Sequence, residues 1–196
     1  MQQNKKTNRI MTFDSQFKNK RMLKKLIVFC ITICTSVTML GQSNSTVLMN
    51  GVRVNSDGVI WAMSNVGSPG TFVLNPEDFG HYYTYDQAKN VCPQGWRLPT
   101  DGELQNLINS GSKWTNRNGT KGRVFGRYSN AIFLPAANYQ GYMDGSYGTV
   151  AGGGGYWSST DFSGEAVVMG LYFAKKYASL NFNHRSCKQS VRCVAK

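Results

Sequence analysis

Acidic side chains are scarce in this chain, ten against 22 basic ones, and histidine occurs only at His81 and His184. With so few ligand-type residues, the sequence offers no compact Cys/His spacing of the kind that holds zinc. It also lacks a nucleophile elbow and a metalloprotease helix motif. The glycine run Gly152–Gly155 has neither the lysine nor the helix start that a phosphate cradle needs. These absences argue against an enzyme and leave binding or structural roles. Proline is rare, at five residues, whereas glycine reaches 21, a balance that suits a loop-rich fold with many tight turns. A long unbroken apolar run is missing too. The best stretch, Leu26–Leu40, is interrupted by Thr32, Thr35, Ser36 and Thr38, and lacks the length of a membrane span.

That stretch instead reads as the h-region of a signal peptide. Lys24 and Lys25 precede it, and the small residues Gly41 and Ser43 follow. Residues 1–41 are therefore expected to be a leader cleaved near Gly41, with a single domain over residues 42–196. Met22 followed by LKKLIVF makes a signal of ordinary length by itself, and translation is expected to start there. Cys30 and Cys34 lie in the h-region. Phe29 and Ile33 before them are too large for a lipoprotein signal, so both cysteines leave with the leader. Beyond it, fourteen basic residues face nine acidic ones, a net charge of +5 instead of +12. No basic stripe remains to bind nucleic acid. Arg117, Lys121, Arg123 and Arg127 form only a mild cluster, read as a solvated loop. The expected product is secreted, with no membrane span after signal removal, and resides at the cell surface, in the periplasm or in the extracellular medium.

About 155 residues then remain, enough for one domain with a real core. An apolar run from Val47 to Val54 is broken by the turn pair Asn50-Gly51, and Asp57-Gly58 separates it from a second short strand over Gly58–Met63. Two helices carry start signals. Thr84 with Gln87 is a capping box, followed by Tyr85, Ala88, Val91 and Cys92 at helical spacing, and Pro93-Gln94-Gly95 stops the helix. Thr100 with Glu103 is a second box, followed by the stripe Leu104, Leu107, Ile108 and the end signal Gly111. Beyond residue 112 the helical period disappears. Ala131–Leu134 is a short strand, and Asn138–Gly155 a long Gly/Tyr-rich loop. Val167, Met169, Leu171 and Phe173 alternate, as do Leu180 and Phe182, then Val191 and Cys193. Strands, two helices, a loop region and more strands argue for an α+β fold with small antiparallel sheets.

Cys92, Cys187 and Cys193 survive removal of the leader, and export favours one disulfide plus a spare thiol. Three pairings are open. Cys92 lies on the apolar side of the first helix and Cys193 on the inward face of the last strand. A Cys92–Cys193 disulfide bond would close a loop whose constraint is worth about 4–5 kcal/mol in the chain-entropy model. Cys187, in the polar turn NHRSCKQS, is left as the spare. The competing arrangement makes Cys187 and Cys193 a reactive pair or metal site.

The strings VCPQGWRLPT (91–100), LPAANYQG (134–141), YWSST (156–160) and SVRCV (190–194) resemble, in that order, the Fibrobacter succinogenes major paralogous domain family. The stretch from Asn55 to Gly80 is similar to what precedes this domain in exported bacterial proteins. The resemblance implies a C-type-lectin-like fold, akin to that of sulfatase-modifying oxidases. In it two helices flank a small sheet that pairs first and last strands, and a long loop region carries ligand contacts. It also implies surface proteins engaged in adhesion or glycan binding. The chain departs from the lectin pattern: it has no Glu-Pro-Asn or Gln-Pro-Asp motif, and Trp157 is followed by Ser158 and Ser159 where lectins carry Trp-Asn-Asp. No cofactor is expected. Calcium is possible through oxygens of Asp144, Asp161 and Glu165, although no EF-type spacing joins them and solvated acids are the alternative.

The leading expectation is thus an exported, non-catalytic binding module for an unknown glycan or protein ligand. Its contact surface would be Tyr139, Tyr142, Asp144, Tyr147, Tyr156 and Trp157, because tyrosines present rigid faces with polar tips. Tyr156 and Trp157 can equally be core at a strand start, and core is preferred for Trp157 and Trp96. Two alternatives stand beside it. One is a formylglycine-generating-type oxidase using Cys187 and Cys193. The other is a structural subunit of a surface assembly.

Overall fold

The computed structural model describes residues 51–143, 146–162 and 165–196. The chain divides into two units, Met1–Gln42 and Ser43–Lys196, and the described residues belong to the second. The signal expected at residues 1–41, the start at Met22 and the apolar run before Gly51 lie outside the described residues.

Two strands, β1 (Gly51–Arg53) and β2 (Ile60–Ala62), form an antiparallel pair. Gly51 pairs with Ala62 and so opens β1; Asn50, the other half of the expected turn pair, lies outside the described residues. The turn is at Asp57-Gly58: Gly58 is left-handed (φ 82°), and the Val59 N–H donates to the Asp57 carboxylate at 3.1 Å. Helix α1 covers only Tyr85–Ala88, capped by the Thr84/Gln87 box. Its expected continuation through Val91 and Cys92 is replaced by tight turns. Pro93 disfavours the helical conformation at Cys92, and the Val91 carbonyl accepts from the Gly70 N–H at 2.9 Å. After β3 (Trp96–Arg97), helix α2 runs over Asp101–Asn109 with the Thr100/Glu103 box in place. It buries Leu104 and Leu107 and ends at left-handed Gly111 (φ 81°).

Between residue 112 and the expected long loop the chain contains more strand than the one expected element, Ala131–Leu134. β4 (Ser112–Arg117), β5 (Thr120–Arg127) and β6 (Asn130–Pro135) make an antiparallel meander. Asn118-Gly119, both left-handed, forms the two-residue turn between β4 and β5. The mild basic cluster therefore sits on a sheet and not on a solvated loop, and Arg123 is buried. Its guanidinium donates to Ser112 Oγ at 2.9 Å and to the Ala174 carbonyl at 2.8 Å. The expected long loop is likewise a hairpin, β7 (Tyr139–Met143) with β8 (Ser146–Val150), followed by β9 (Gly153–Trp157). β9 joins β10 (Val167–Ala174) and β11 (Ala178–His184) in the order β11-β10-β9. Finally β12 (Val194–Ala195) enters the first sheet, giving β1-β2-β12-β3. The described chain is thus an α+β fold of two helices and small antiparallel sheets.

Two hydrophobic clusters fill the domain, and neighbouring strand residues divide between them. Ala62, Trp157 and Cys193 lie in the cluster that holds Tyr85, Trp96 and Val191. Trp61, Tyr156 and Val194 lie in the one that holds Leu104, Leu107, Phe125 and Phe173. Adjacent strand side chains point to opposite faces, so β2, β9 and β12 form the partition between the clusters. β10 does the same: Leu171 and Phe173 fill one cluster, as their alternation predicts, and Val168 fills the other. Phe182 departs from its expected inward alternation with Leu180; it is 61% exposed, against the ring of Phe162.

Cys92 is joined to Cys193 across 101 residues of chain, and Cys187 is a buried thiol outside that disulfide. Arg97 holds Glu103 through two hydrogen bonds of 2.8 and 2.6 Å, so one carboxylate both caps α2 and pairs with β3. Arg97, more than any other group, holds the Glu103 carboxyl below its ordinary pKa.

Two outcomes follow. Cys92→Ala should lower stability by about 4–5 kcal/mol in the chain-entropy model, read from urea unfolding under non-reducing conditions. A depressed carboxylate pKa adds stability that is fully present above the unfolded value, about 4.3, and is lost as pH falls through the folded value. Glu103→Gln keeps a capping-competent side chain but removes the charge. It should flatten the acid limb of a stability-versus-pH curve below about pH 4.3 and leave its shape above neutrality unchanged.

Candidate functional site

The β7–β8 hairpin stands beside the β9–β10–β11 sheet, held at its base by two backbone bonds. The Asn138 N–H donates to the Gly153 carbonyl and the Gln140 N–H to the Lys188 carbonyl, both at 2.8 Å. Between hairpin and sheet lies a cleft of about 610 Å³. Tyr139, Gly141 and Val150 line the hairpin side; Val167 and residues 181–184 line the sheet side, with Cys187 from the following turn.

Glycines let the aromatic wall approach. A Cβ at Gly155 would stand 2.8 Å from Cγ of Tyr139, and one at Gly153 would stand 3.1 Å from the ring of Tyr172. On the opposite face a Cβ at Gly154 would meet the Phe173 ring at 2.5 Å. The glycine run is thus a strand on which rings lie against bare backbone, as glycine alone allows. Tyr139 meets Tyr172 edge-on at 5.3 Å, and Tyr172 meets Tyr177 at 5.5 Å.

The strand register places amides beside these rings. Asn181 pairs with Gly170 and Asn183 with Val168, so both asparagines share the face of β10 that carries Gly170 and Tyr172. Asn183 Nδ2 donates to the Asn181 carbonyl at 3.0 Å. Gln189, from the segment after Cys187, reaches the same face. A Cβ on Gly170 would come within 3.2 Å of its Oε1 and 3.4 Å of Asn183 Nδ2.

Among the described residues that line it, none is an Asp, Glu, Lys or Arg. The Tyr139 phenol is pushed above its ordinary pKa, chiefly by burial, with Tyr177 and Cys187 adding to it. The Tyr172 phenol is pushed up to about 12, first by its hydrogen bond with Tyr177 and then by burial. Both remain neutral hydroxyls at physiological pH.

Of the six residues expected to make the contact surface, the structure brings Tyr139 to the cleft. Tyr142 and Tyr147 are cross-strand partners in the hairpin; their side chains, like Asp144, lie outside the described residues. Tyr156 and Trp157 are fully buried and offer no face to a ligand. Burial is the physical reason for their chemistry: Trp157 Nε1 donates to the Tyr83 carbonyl at 2.7 Å, and Tyr156 Oη to the Pro135 carbonyl at 2.9 Å. They take the core placement, preferred for Trp157 in the sequence and weighed as the alternative for Tyr156.

The Asp161 carboxylate is engaged by the Arg185 guanidinium at 2.9 and 3.0 Å. Among the described residues, no three His, Cys, Asp or Glu side chains gather to hold a metal ion. The sulfur of Cys193 is bonded to Cys92, so the Cys187–Cys193 pair is not made.

Sequence reasoning missed Asn181, Asn183, Gln189, Tyr172 and Tyr177. One signal was available. Asparagine is depleted in strands, yet it recurs at period two in NFNH (181–184), which marks a strand face serving something other than a core.

A family model described as the Fibrobacter succinogenes major domain matches residues 44–195, and the chain belongs to that family. No curated protein and no solved structure matches it.

The fit of Tyr139 on bare backbone is testable. Gly155→Ala should cost about 1–3 kcal/mol through overpacking, read from urea unfolding. It should also shift the Tyr139 ring resonances in an NMR spectrum and leave those of Phe125 in place.

Proposed function

We propose that this member of the Fibrobacter succinogenes major domain family is an exported, non-catalytic binding module that recognises a glycan or protein through the cleft. The observation that carries the proposal is a partly exposed wall, with no Asp, Glu, Lys or Arg among its described residues, in which Tyr139, Asn181 and Asn183 line one cleft. Tyrosine supplies rigid contact area at low entropic cost, and amides supply adaptable hydrogen bonds, a pairing suited to recognition. The two helices and the sheet in which β12 joins β1 and β2 support assigning the C-type-lectin-like architecture. Contact through tyrosine and amides calls for no bridging calcium. The disulfide occupies one of the two sulfurs that a formylglycine-generating oxidase would need, which favours binding over catalysis.

The test is a screen of the purified full chain against immobilised glycans and peptides, repeated with EDTA. Tyr139→Ala combined with Asn183→Ala should weaken captured ligands at least tenfold, keep Tm within a few degrees of the parent, and show the same affinities with and without chelator. A ligand bound equally by parent and double variant would place recognition elsewhere.

A further inference from the structure

We infer that the partner is an extended, uncharged polypeptide segment that enters the cleft and adds a strand to the open edge of β11; this rests on the cleft being the binding site. β11 ends its sheet: among the described strands only β10 pairs with it. The ladder fixes which backbone groups face outward. The Arg185 N–H donates to the Ala166 carbonyl and the Ala174 N–H to the Tyr177 carbonyl, each at 2.9 Å. Hydrogen-bonded and non-hydrogen-bonded pairs alternate along an antiparallel ladder. In this register Asn181 and Asn183 therefore bond β10, and the N–H and C=O groups of Leu180 and Phe182 point away from it.

The cleft lies on that edge. Successive strand residues point to opposite faces, so a cleft on one face would be lined by every second residue. Asn181, Phe182, Asn183 and His184 line this one in unbroken sequence, with Tyr139, Gly141 and Val150 of the hairpin across from them. Four strand residues span about 13 Å, a length over which a guest strand could pair. Folded proteins blunt a sheet edge with Lys, Pro, a bulge or a very short strand. β11 uses none of these: it runs seven residues, ASLNFNH, in unbroken register with β10. Phe182 is 61% exposed, and its ring meets that of Phe162 at 5.7 Å. An apolar guest side chain opposite Phe182 would cover that pair. A charge carried into the cleft would find no Asp, Glu, Lys or Arg among the described lining residues, so a neutral guest matches it. An added strand supplies C=O and N–H groups at the spacing of Leu180 and Phe182, as a sugar ring does not. A second copy carries the hairpin beside its own β11, so the cleft suits a lone segment better than another sheet edge.

Hydrogen exchange and peptide capture on the full chain test this. Without peptide, the Leu180 and Phe182 amides should exchange quickly while those of Asn181 and Asn183 are protected. Immobilised peptides of about six residues, a common strand length, alternating Thr with Val, Ile or Phe, should be captured and should slow exchange at Leu180 and Phe182. Versions with Glu or Lys in place of Thr should bind at least tenfold more weakly. A strand shows one set of alternate backbone nitrogens to β11 and the other to solvent. N-methylation of one set should weaken capture at least tenfold, and of the other set little. Phe182→Pro removes an outward N–H and spares the β10 ladder, and should also lose at least tenfold. The methylation pattern is read on the parent chain and decides the matter even if that variant fails to fold. Leu180 and Phe182 amides already protected in the free chain would overturn the inference, as would equal effects of the two methylation patterns or a preference for charged peptides. Capture of glycans only, lost in Tyr139→Ala combined with Asn183→Ala, would overturn the strand assignment and leave the binding module standing. Capture of neither peptide nor glycan would overturn both.

Discussion

The segment Ser190–Val194 is the constraint on which the domain depends. All its residues are buried, although Arg192 carries a guanidinium. Burying a charge is tolerable only when its hydrogen bonds are met. Arg192 meets them without a carboxylate: Nε donates to Asn65 Oδ1 at 2.9 Å, Nη1 to the Ala62 carbonyl at 3.0 Å and Nη2 to the Phe133 carbonyl at 3.1 Å. Burial lowers its pKa to about 10, which still leaves it charged at neutrality. Asn65 passes the network on, donating to the Tyr156 hydroxyl at 3.2 Å. One side chain thus ties the first sheet, the β4–β6 meander and β9 together from the inside.

The family strings describe the housing of that segment. In YWSST, the Trp157 N–H donates to the Ser190 carbonyl, and the Ser190 N–H returns to the Gly155 carbonyl. In VCPQGWRLPT, Cys92 bonds Cys193 and the Gly95 carbonyl accepts from the Lys196 N–H. Trp96 packs edge-on against Phe72, and Thr100 opens α2. Of the described cleft residues, only Tyr139 and Gly141 fall within any of the four strings. Membership of the family therefore accounts for the scaffold and says little about the ligand.

What could be read in the sequence was local or covalent. Both capping boxes depend on residues three apart and formed as spelled out by Thr84/Gln87 and Thr100/Glu103. The Cys92–Cys193 bridge was one of three open pairings and is the one formed, although Cys92 lies beyond the end of α1 and not on its apolar face. The hairpin and β9 were obscured because glycine is a poor strand former by propensity. Here rings of Tyr139, Tyr172 and Phe173 occupy the space side chains would take, a tertiary fact invisible in a glycine run. Tyr156 and Trp157 could be placed outside or inside only once both sides of β9 were known to be covered. Gln189 was illegible for a similar reason: nothing in CKQSVRC tells that its amide is sealed under Gly170 and Asn183.

The same partition strand carries a kinetic consequence. Trp61 pairs with Val194, and Asn65 with Arg192, across most of the domain's length. A chain emerging from a ribosome can form α2 and the meander early, since their contacts are local. It cannot separate its two clusters, or cover Trp61, until residues 190–194 have emerged. Folding by this topology waits for late residues, and the two clusters close together, as one late event, around the segment made last.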